Sequence, residues 1–307
     1  MPLTRTSIVR GPAIVTFGGA TFYSKDDIKL TTENETFDID VSAYGKVDER
    51  VNRRKMTVSF TPSGAWAALA TLFPYGSTVV GSSVFGTDSP LVIQTLAGTT
   101  LTFAAAAVTR MPSLHLSASK TLFGPVEFTC LGRDNTAWSA TSSVYTTASN
   151  PFSDTSFVES GIITQSYSIA WGSSVPWNSL QTKDGVAVEF ELGLDPVETD
   201  AEGLVDMTLT RLTAVAKMKP VGLTEAQVLA ALGLQGTGAA RGRSLNAGGQ
   251  TLNINGASGQ VNIALNGANL KGAEQLFGAK SLRVEQIAFV TTRNFASGVP
   301  GPVFTVS

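Results

Sequence analysis

The two halves of this chain carry the same patterns in the same order, which restricts the fold more than any single motif does. Lys120, Leu122 and Arg133 recur 160 residues later as Lys280, Leu282 and Arg293. The run Leu91–Gly98 is echoed by Leu252–Gly259 at an offset of 161. Each half reads as a strand, a hairpin with a charged connection, a strand, a short helix, a loop and three or four further strands. A repeat of this size predicts two copies of one β-rich domain. At 307 residues the chain has room for about two domains of about 150 residues. The Ser/Thr-rich stretch Ala140–Asn150 is expected to be the linker. It divides the chain into a first domain, residues 1–150 with a polar arm over 1–12, and a second domain, residues 151–307.

Strand character comes from period-two alternation. Phe37, Ile39 and Val41 alternate with Asp38, Asp40 and Ser42, and Met56, Val58 and Phe60 resume the pattern after a charged run. In the second half Val186, Val188, Phe190 and Leu192 alternate with Ala187, Glu189 and Glu191. Lys25-Asp26-Asp27-Ile28 matches Lys183-Asp184-Gly185-Val186, and Met56-Thr57-Val58-Ser59 matches Met207-Thr208-Leu209-Thr210. Two short helices occupy matching slots. One follows Pro62-Ser63-Gly64, with Ser63 as the expected cap and Pro74 as the stop. The other follows Pro220, with Thr224 as cap and Gly233 just past its end. The expected class is all-β with one short helix per repeat, in two tandem sandwich or barrel domains.

Composition narrows the function by exclusion. Charged residues make up 15% and the net charge is −2, so no basic field points to nucleic-acid binding. One cysteine, Cys130, rules out an internal disulfide and a cysteine zinc cluster, and its strand context makes it a core residue. One histidine, His115, leaves a Ser/His/Asp triad or a histidine metal site without support. Gly236-Thr237-Gly238 lacks the strand-to-helix context of a phosphate loop. No catalytic residue, cofactor or metal is expected. Met1–Ser7 has no apolar core of a secretory signal, and no apolar run spans a bilayer, so synthesis in a cytoplasm and no membrane association are expected. Trp66, Leu69, Leu72 and Phe73 read as core, Trp171 and Trp177 as core or interface, and Arg241 and Arg243 as part of an exposed Gly-rich loop over Gly233–Gly249.

The charged connections differ in sign. Lys46, Arg50, Arg53, Arg54 and Lys55, with Asp48 and Glu49, make the first mostly basic. Asp195, Glu198, Asp200, Glu202 and Asp206 make the second acidic. Complementary fields of this kind fix register between docking surfaces. These twelve residues are the candidate contacts between halves or between stacked rings; the plainer reading is two solvated hairpin tips.

The stretches Gly18–Ile28, Tyr44–Arg50 and Lys55–Gly64 resemble the tail tube proteins of long-tailed bacteriophages, over roughly residues 10–75. The resemblance implies a structural virion protein that forms rings through strands shared across subunits. Rings stack through hairpin loops and arms into a DNA-conducting lumen. A tape-measure protein and a tail terminator would be its partners, and DNA would pass without specific binding. Most members carry one such domain per chain and form hexamers. Two domains imply a trimeric, pseudo-hexameric ring, and a second half that is only a decoration implies an ordinary hexamer. The chain would be assembled in the host cytoplasm and reside in the virion tail, contractile or not. A carbohydrate-binding or adhesin module is the alternative from another class.

Overall fold

Strands dominate a computed structural model of the chain, which describes residues 13–87, 89–95, 98–117, 121–131, 133–134, 137–138, 144–149, 167–199, 203–233, 250–256, 261–277, 282–293 and 301–307. The expected arm over 1–12, Arg241 and Arg243 lie outside the described residues. In the first half the strands are β1 (Ala13–Phe17), β2 (Ala20–Ser24), β3 (Lys29–Val41), β4 (Gly45–Phe60) and β5 (Pro62–Ser63). Helix α1 (Trp66–Leu69) follows and runs into a 3₁₀ turn over Ala70–Leu72. Then come β6 (Ser89–Thr95), β7 (Thr99–Arg110), β8 (Leu114–Leu116), β9 (Thr121–Phe123) and β10 (Val126–Leu131). A two-residue ladder, β11 (Arg133–Asp134) with β12 (Ala137–Trp138), precedes β13 (Thr146–Ser149). The second half has β14 (Tyr167–Trp171), β15 (Gln181–Thr199), β16 (Gly203–Val221), α2 (Glu225–Ala231), β17 (Gln250–Gly256), β18 (Asn262–Phe277), β19 (Leu282–Thr291) and β20 (Phe304–Val306).

These strands form two large antiparallel sheets. The first runs β3-β4-β10-β7-β6-β1-β2-β5, with β13 on β7; the second runs β14-β17-β18-β19-β16-β15-β8-β9, with β20 on β18. Read in the same direction, β3-β4-β10-β7-β6-β1 and β15-β16-β19-β18-β17-β14 have identical connectivity, and the side strands β13 and β20 sit on equivalent partners. The registers agree in detail. Phe17↔Leu91 corresponds to Trp171↔Leu252, Leu91↔Phe103 to Leu252↔Leu265, and Val108↔Phe128 to Leu270↔Phe289. Leu30↔Val58 corresponds to Val188↔Ala216, and the hairpin ends Val41↔Gly45 to Thr199↔Gly203. The sheet is the same object twice.

This register corrects parts of the sequence alignment. Along the long hairpins the offset is 158, as in the match of Lys25–Ile28 with Lys183–Val186. Met56, opposite Thr32, therefore corresponds to Ala214, opposite Phe190, and not to Met207. In β10 and β19 the inward residues Val126, Phe128 and Cys130 correspond to Ile287, Phe289 and Thr291, an offset of 161. An offset of 160 would exchange the two faces of the strand, which the burial of these residues forbids. Thr291 bonds to the Ala214 amide through its hydroxyl at 2.8 Å, so a buried polar group takes the place of the Cys130 thiol with its partner supplied. Cys130 is a core residue, and burial pushes its thiol far above the usual range.

Local chemistry explains the punctuation. α2 has the capping box read in part from the sequence: Thr224 accepts from the Gln227 amide and Gln227 reaches back to the Thr224 amide. Gly233 follows in the left-handed region. Ser63 does not cap α1; the cap position is Ala65, with no side-chain bond, and Ser63 pairs with Tyr23 in β5. Residues 146–149 of the expected linker form β13 instead. Trp66 and Trp171 are core, with the Trp171 indole donating to the Ala268 carbonyl at 2.8 Å.

One element crosses between the halves. After Arg110 the chain leaves the first sheet at Met111-Pro112, where proline removes a ladder donor. It returns as the β8–β9 hairpin on the outer edge of β15: Leu114 faces Val188, His115 faces Ala187 and Leu116 faces Val186. Gly185 makes this approach possible. It has φ +86°, and a Cβ there would lie 2.0 Å from the Leu116 carbonyl oxygen and 2.8 Å from the Ser117 Cα. Gly185→Ala combines a left-handed alanine with a backbone clash, and is expected to cost about 2–4 kcal/mol. Calorimetry should show the thermal midpoint falling by roughly 5–10 °C, whereas alanine at the unobstructed Gly272 should leave it nearly unchanged.

Candidate functional site

Ten of the twelve charged candidates lie on the two long hairpins among the described residues, and the structure separates them into three groups. Lys46, Asp48, Glu49, Arg50, Arg53, Arg54 and Lys55 all belong to β4. They do not form an unopposed basic loop, because β3 beside them is acidic. Lys46 pairs with Asp38 at 2.6 Å and Glu49 at 3.2 Å, Lys55 pairs with Glu33 at 2.6 Å, and the Arg53 backbone lies opposite Glu35. Residues 29–60 carry six basic and six acidic side chains, so the hairpin is neutral as a unit. Arg50 lies opposite Phe37, and the Asp48 carboxylate accepts from the Glu49 amide at 2.8 Å. The side chains of Arg53 and Arg54, like Asp200 and Glu202, lie outside the described residues.

The acidic run is arranged differently. Asp195 and Glu198 are exposed on β15, and Asp206 lies on β16. The described part of the run is shared between two strands, whereas the basic run lies along one returning strand, so the two are not position-for-position counterparts. Lower on the same hairpin, Arg211 pairs with Glu191 at 3.2 Å, Lys217 with Glu189 at 3.0 Å and Lys219 with Asp184 at 3.5 Å. These exposed pairs contribute at most about 1 kcal/mol each.

Asp206 is put to use inside the chain. Its carboxylate accepts from the Phe85 amide at 3.1 Å and the Met207 amide at 2.7 Å. Beside it, residues 81–84 of the first half run along β16. The Gly81 amide donates to Leu209, Leu209 to Ser82 and Val84 to Met207, over 2.7, 3.0 and 2.8 Å. A segment of the first half thus lies along the free edge of the second hairpin.

A second seam between the halves was not legible as a motif. Phe190 of β15 packs on Phe73 (ring centroids 5.1 Å apart) and on Phe304 (4.7 Å). The Trp66 indole donates to the Ser307 carbonyl at 2.8 Å, and the Val303 amide to Gly76 at 2.8 Å. Arg293 donates to the Thr78 carbonyl. The region after α1 is therefore clamped between β15 and β20. The only sequence signal was a cluster of aromatics beside the first helix, which reads equally well as the core of a single domain.

Among the described residues no group of three or more His, Cys, Asp and Glu could hold a metal ion, and no helix is long and apolar enough to cross a membrane. No family model matches the chain, and no curated protein matches it. What the arrangement offers is strand edges, long hairpins and half-to-half seams.

Electrostatics at the first hairpin give a pH prediction. The Thr36 hydroxyl donates to Glu49 and Lys46 pairs with it; together they hold the Glu49 carboxyl below its ordinary value. Asp38 first, and Glu49 second, raise Lys46. The Glu49 contribution is present above the ordinary glutamate range and lost as pH falls through its depressed pKa; that of Lys46 is lost only as pH rises through its raised one. Carboxyl NMR titration should find Glu49 below the usual range, with Thr36→Val restoring it further than Lys46→Ala does. Asp206→Ala strands the Phe85 amide and is expected to cost about 1–3 kcal/mol, with faster hydrogen exchange at Phe85 and Gly81.

Proposed function

We propose that this protein is a structural subunit that assembles with itself into rings stacked as a tube, the major tail tube protein of a long-tailed phage. The observation that carries this reading is the duplicated sheet: one chain holds two copies of one sheet, with equal connectivity and equal register. A sheet with open edges is an aggregation hazard unless the edges are covered. A repeated domain whose copies meet head to tail covers them in a closed ring, and a two-domain chain closes that ring with fewer subunits. Three chains then supply six equivalent places. Each place carries a long hairpin, 13 and 16 residues in its two strands in the first half and 19 and 19 in the second, able to reach a neighbouring ring.

The reading assigns no catalysis and no cofactor. Partners follow from the resemblance of residues 10–75: a tape-measure protein inside, a tail terminator at the end, and DNA moving through the lumen. Transit without grip favours a neutral or acidic lining, and both hairpins fit, one neutral and one acidic along its distal half. The virion tail is the corresponding location.

Negative-stain electron microscopy of purified protein, with rotational averaging and mass determination, tests the proposal. Rings or stacked tubes of three chains with six similar lobes are expected. A chain that stays monomeric across salt and protein concentration would overturn it and bring the surface-binding alternative forward.

A further inference from the structure

Because the two sheets are equivalent, the surroundings of each position can be compared with those of its counterpart, and one face differs sharply. Val188 is fully buried beneath the docked β8–β9 hairpin, while its counterpart Leu30 is 42% exposed. Phe304, opposite Leu265, is 1% exposed against Phe190 and the chain after α1. Tyr145, the residue before β13, packs on Phe103, the counterpart of Leu265, and is 41% exposed. Both buried residues lie on the second half and are covered by the first half; both exposed ones lie on the matching face of the first half. There β3 is the last strand of its sheet, with no strand on its outer edge among the described residues.

The segment that would cover this face also has a counterpart. In the first half the covering piece is the β8–β9 hairpin, which lies between β7 and β10. In the second half the same place in the chain, between β18 and β19, is filled by a continuation of those two strands, paired from Gly272↔Ala288 out to Phe277↔Leu282. β19 pairs with β16 only over Ile287–Val290, so this tip continues past the part of the sheet that β16 pairs with. No segment of the same chain is paired with it beyond its own hairpin among the described residues.

We infer that the contact between the two halves of one chain is repeated between copies: the β18–β19 tip of one copy adds as a strand pair to the outer edge of β3 of the next, covering Leu30. The occupant is a second copy of this chain, because the surface matching the one seated inside each chain is carried only there. The contact is heterologous, the tip of one copy meeting the edge of the next, and therefore propagates until it closes. Main-chain bonds along the edge supply affinity, and Leu30 supplies an apolar anchor. One difference sets the register. Gly185, which admits the Leu116 carbonyl, corresponds to Asp27, so the incoming strand pairs from Ile28 onward rather than crossing Asp27.

Ring assembly is the reading proposed above; the contact itself is argued from the two halves alone. Leu30→Asp tests it in the full-length protein. The side chain is already partly solvated, so the thermal midpoint should stay within about 2 °C of wild type. The concentration at half-assembly should rise about tenfold or more, which corresponds to about 1.4 kcal/mol. Cysteine pairs Leu30→Cys with Leu276→Cys, and Leu30→Cys with Phe277→Cys, should form disulfides between copies on mild oxidation, because opposed strand positions lie within reach of one. Leu30→Asp assembling like wild type, with neither pair cross-linking between copies, would overturn the contact while leaving tubes intact. A wild-type chain that never assembles would overturn both the contact and the tube reading.

Discussion

The outer edge of β15 is the constraint around which the molecule is arranged. A strand edge presents a row of unpaired amides and carbonyls, and burying them without partners costs more than any surface ion pair returns. The chain meets this by sending part of the first half across to the second. Val186 and Val188 become fully buried because Leu114 and Leu116 lie beside them. Position 185 must then be glycine, and the chain leaves its own sheet at Met111-Pro112. The clamp of Phe73, Phe190 and Phe304 closes the same seam from the other side. The two halves are consequently joined through backbone edges and aromatic packing, with a single core that passes through both.

Much of this was legible in the sequence because it rests on period and order. Alternation located the hairpins, and the match of Lys25–Ile28 with Lys183–Val186 carried the correct offset of 158 through the longest element of the fold. Thr224 and Gly233 marked α2 because capping chemistry is local. The errors share a cause. Identical letters, such as Lys120, Leu122 and Arg133 with their later echoes, are a weaker guide to register than which side of a strand is buried, and a shift of one residue exchanges the faces. β13 was hidden in a Ser/Thr-rich stretch because it is short and peripheral, and its pairing with β7 comes from tertiary context.

The seam between the halves was not legible for a different reason. Leu114-His115-Leu116 reads as a strand, and does form one, but nothing local says which sheet receives it. That information sits some seventy residues later, in the glycine at 185 and the valines that follow it. The segment from Gly81 to Phe85 is a similar case, for Asp206, which accepts from the Phe85 amide, looked like a free member of an acidic run. In both, the decisive partner is non-local, and the sequence pattern describes the donor segment without naming its acceptor.

The charge runs show why sign alone is a poor guide to assembly. Lys46 and Lys55 of β4 pair with Asp38 and Glu33 of β3, and the hairpin carries equal numbers of basic and acidic residues, so it has no net charge of its own. Exposed pairs of this kind are screened over about 8–10 Å at ordinary salt. The register sets Asp38 directly opposite Glu49, a like-charged pair that would be destabilising alone, and Lys46 bridges the two carboxylates. The exposed remainder includes Asp195 and Glu198 on the second hairpin and Leu30 on the outer edge of β3. In the proposed ring these carboxylates would repel their own kind, and the edge at Leu30 would take a partner strand. On that proposal the surface is divided between lateral joining through edges and acidic positions that space, or orient, what lies beyond the ring.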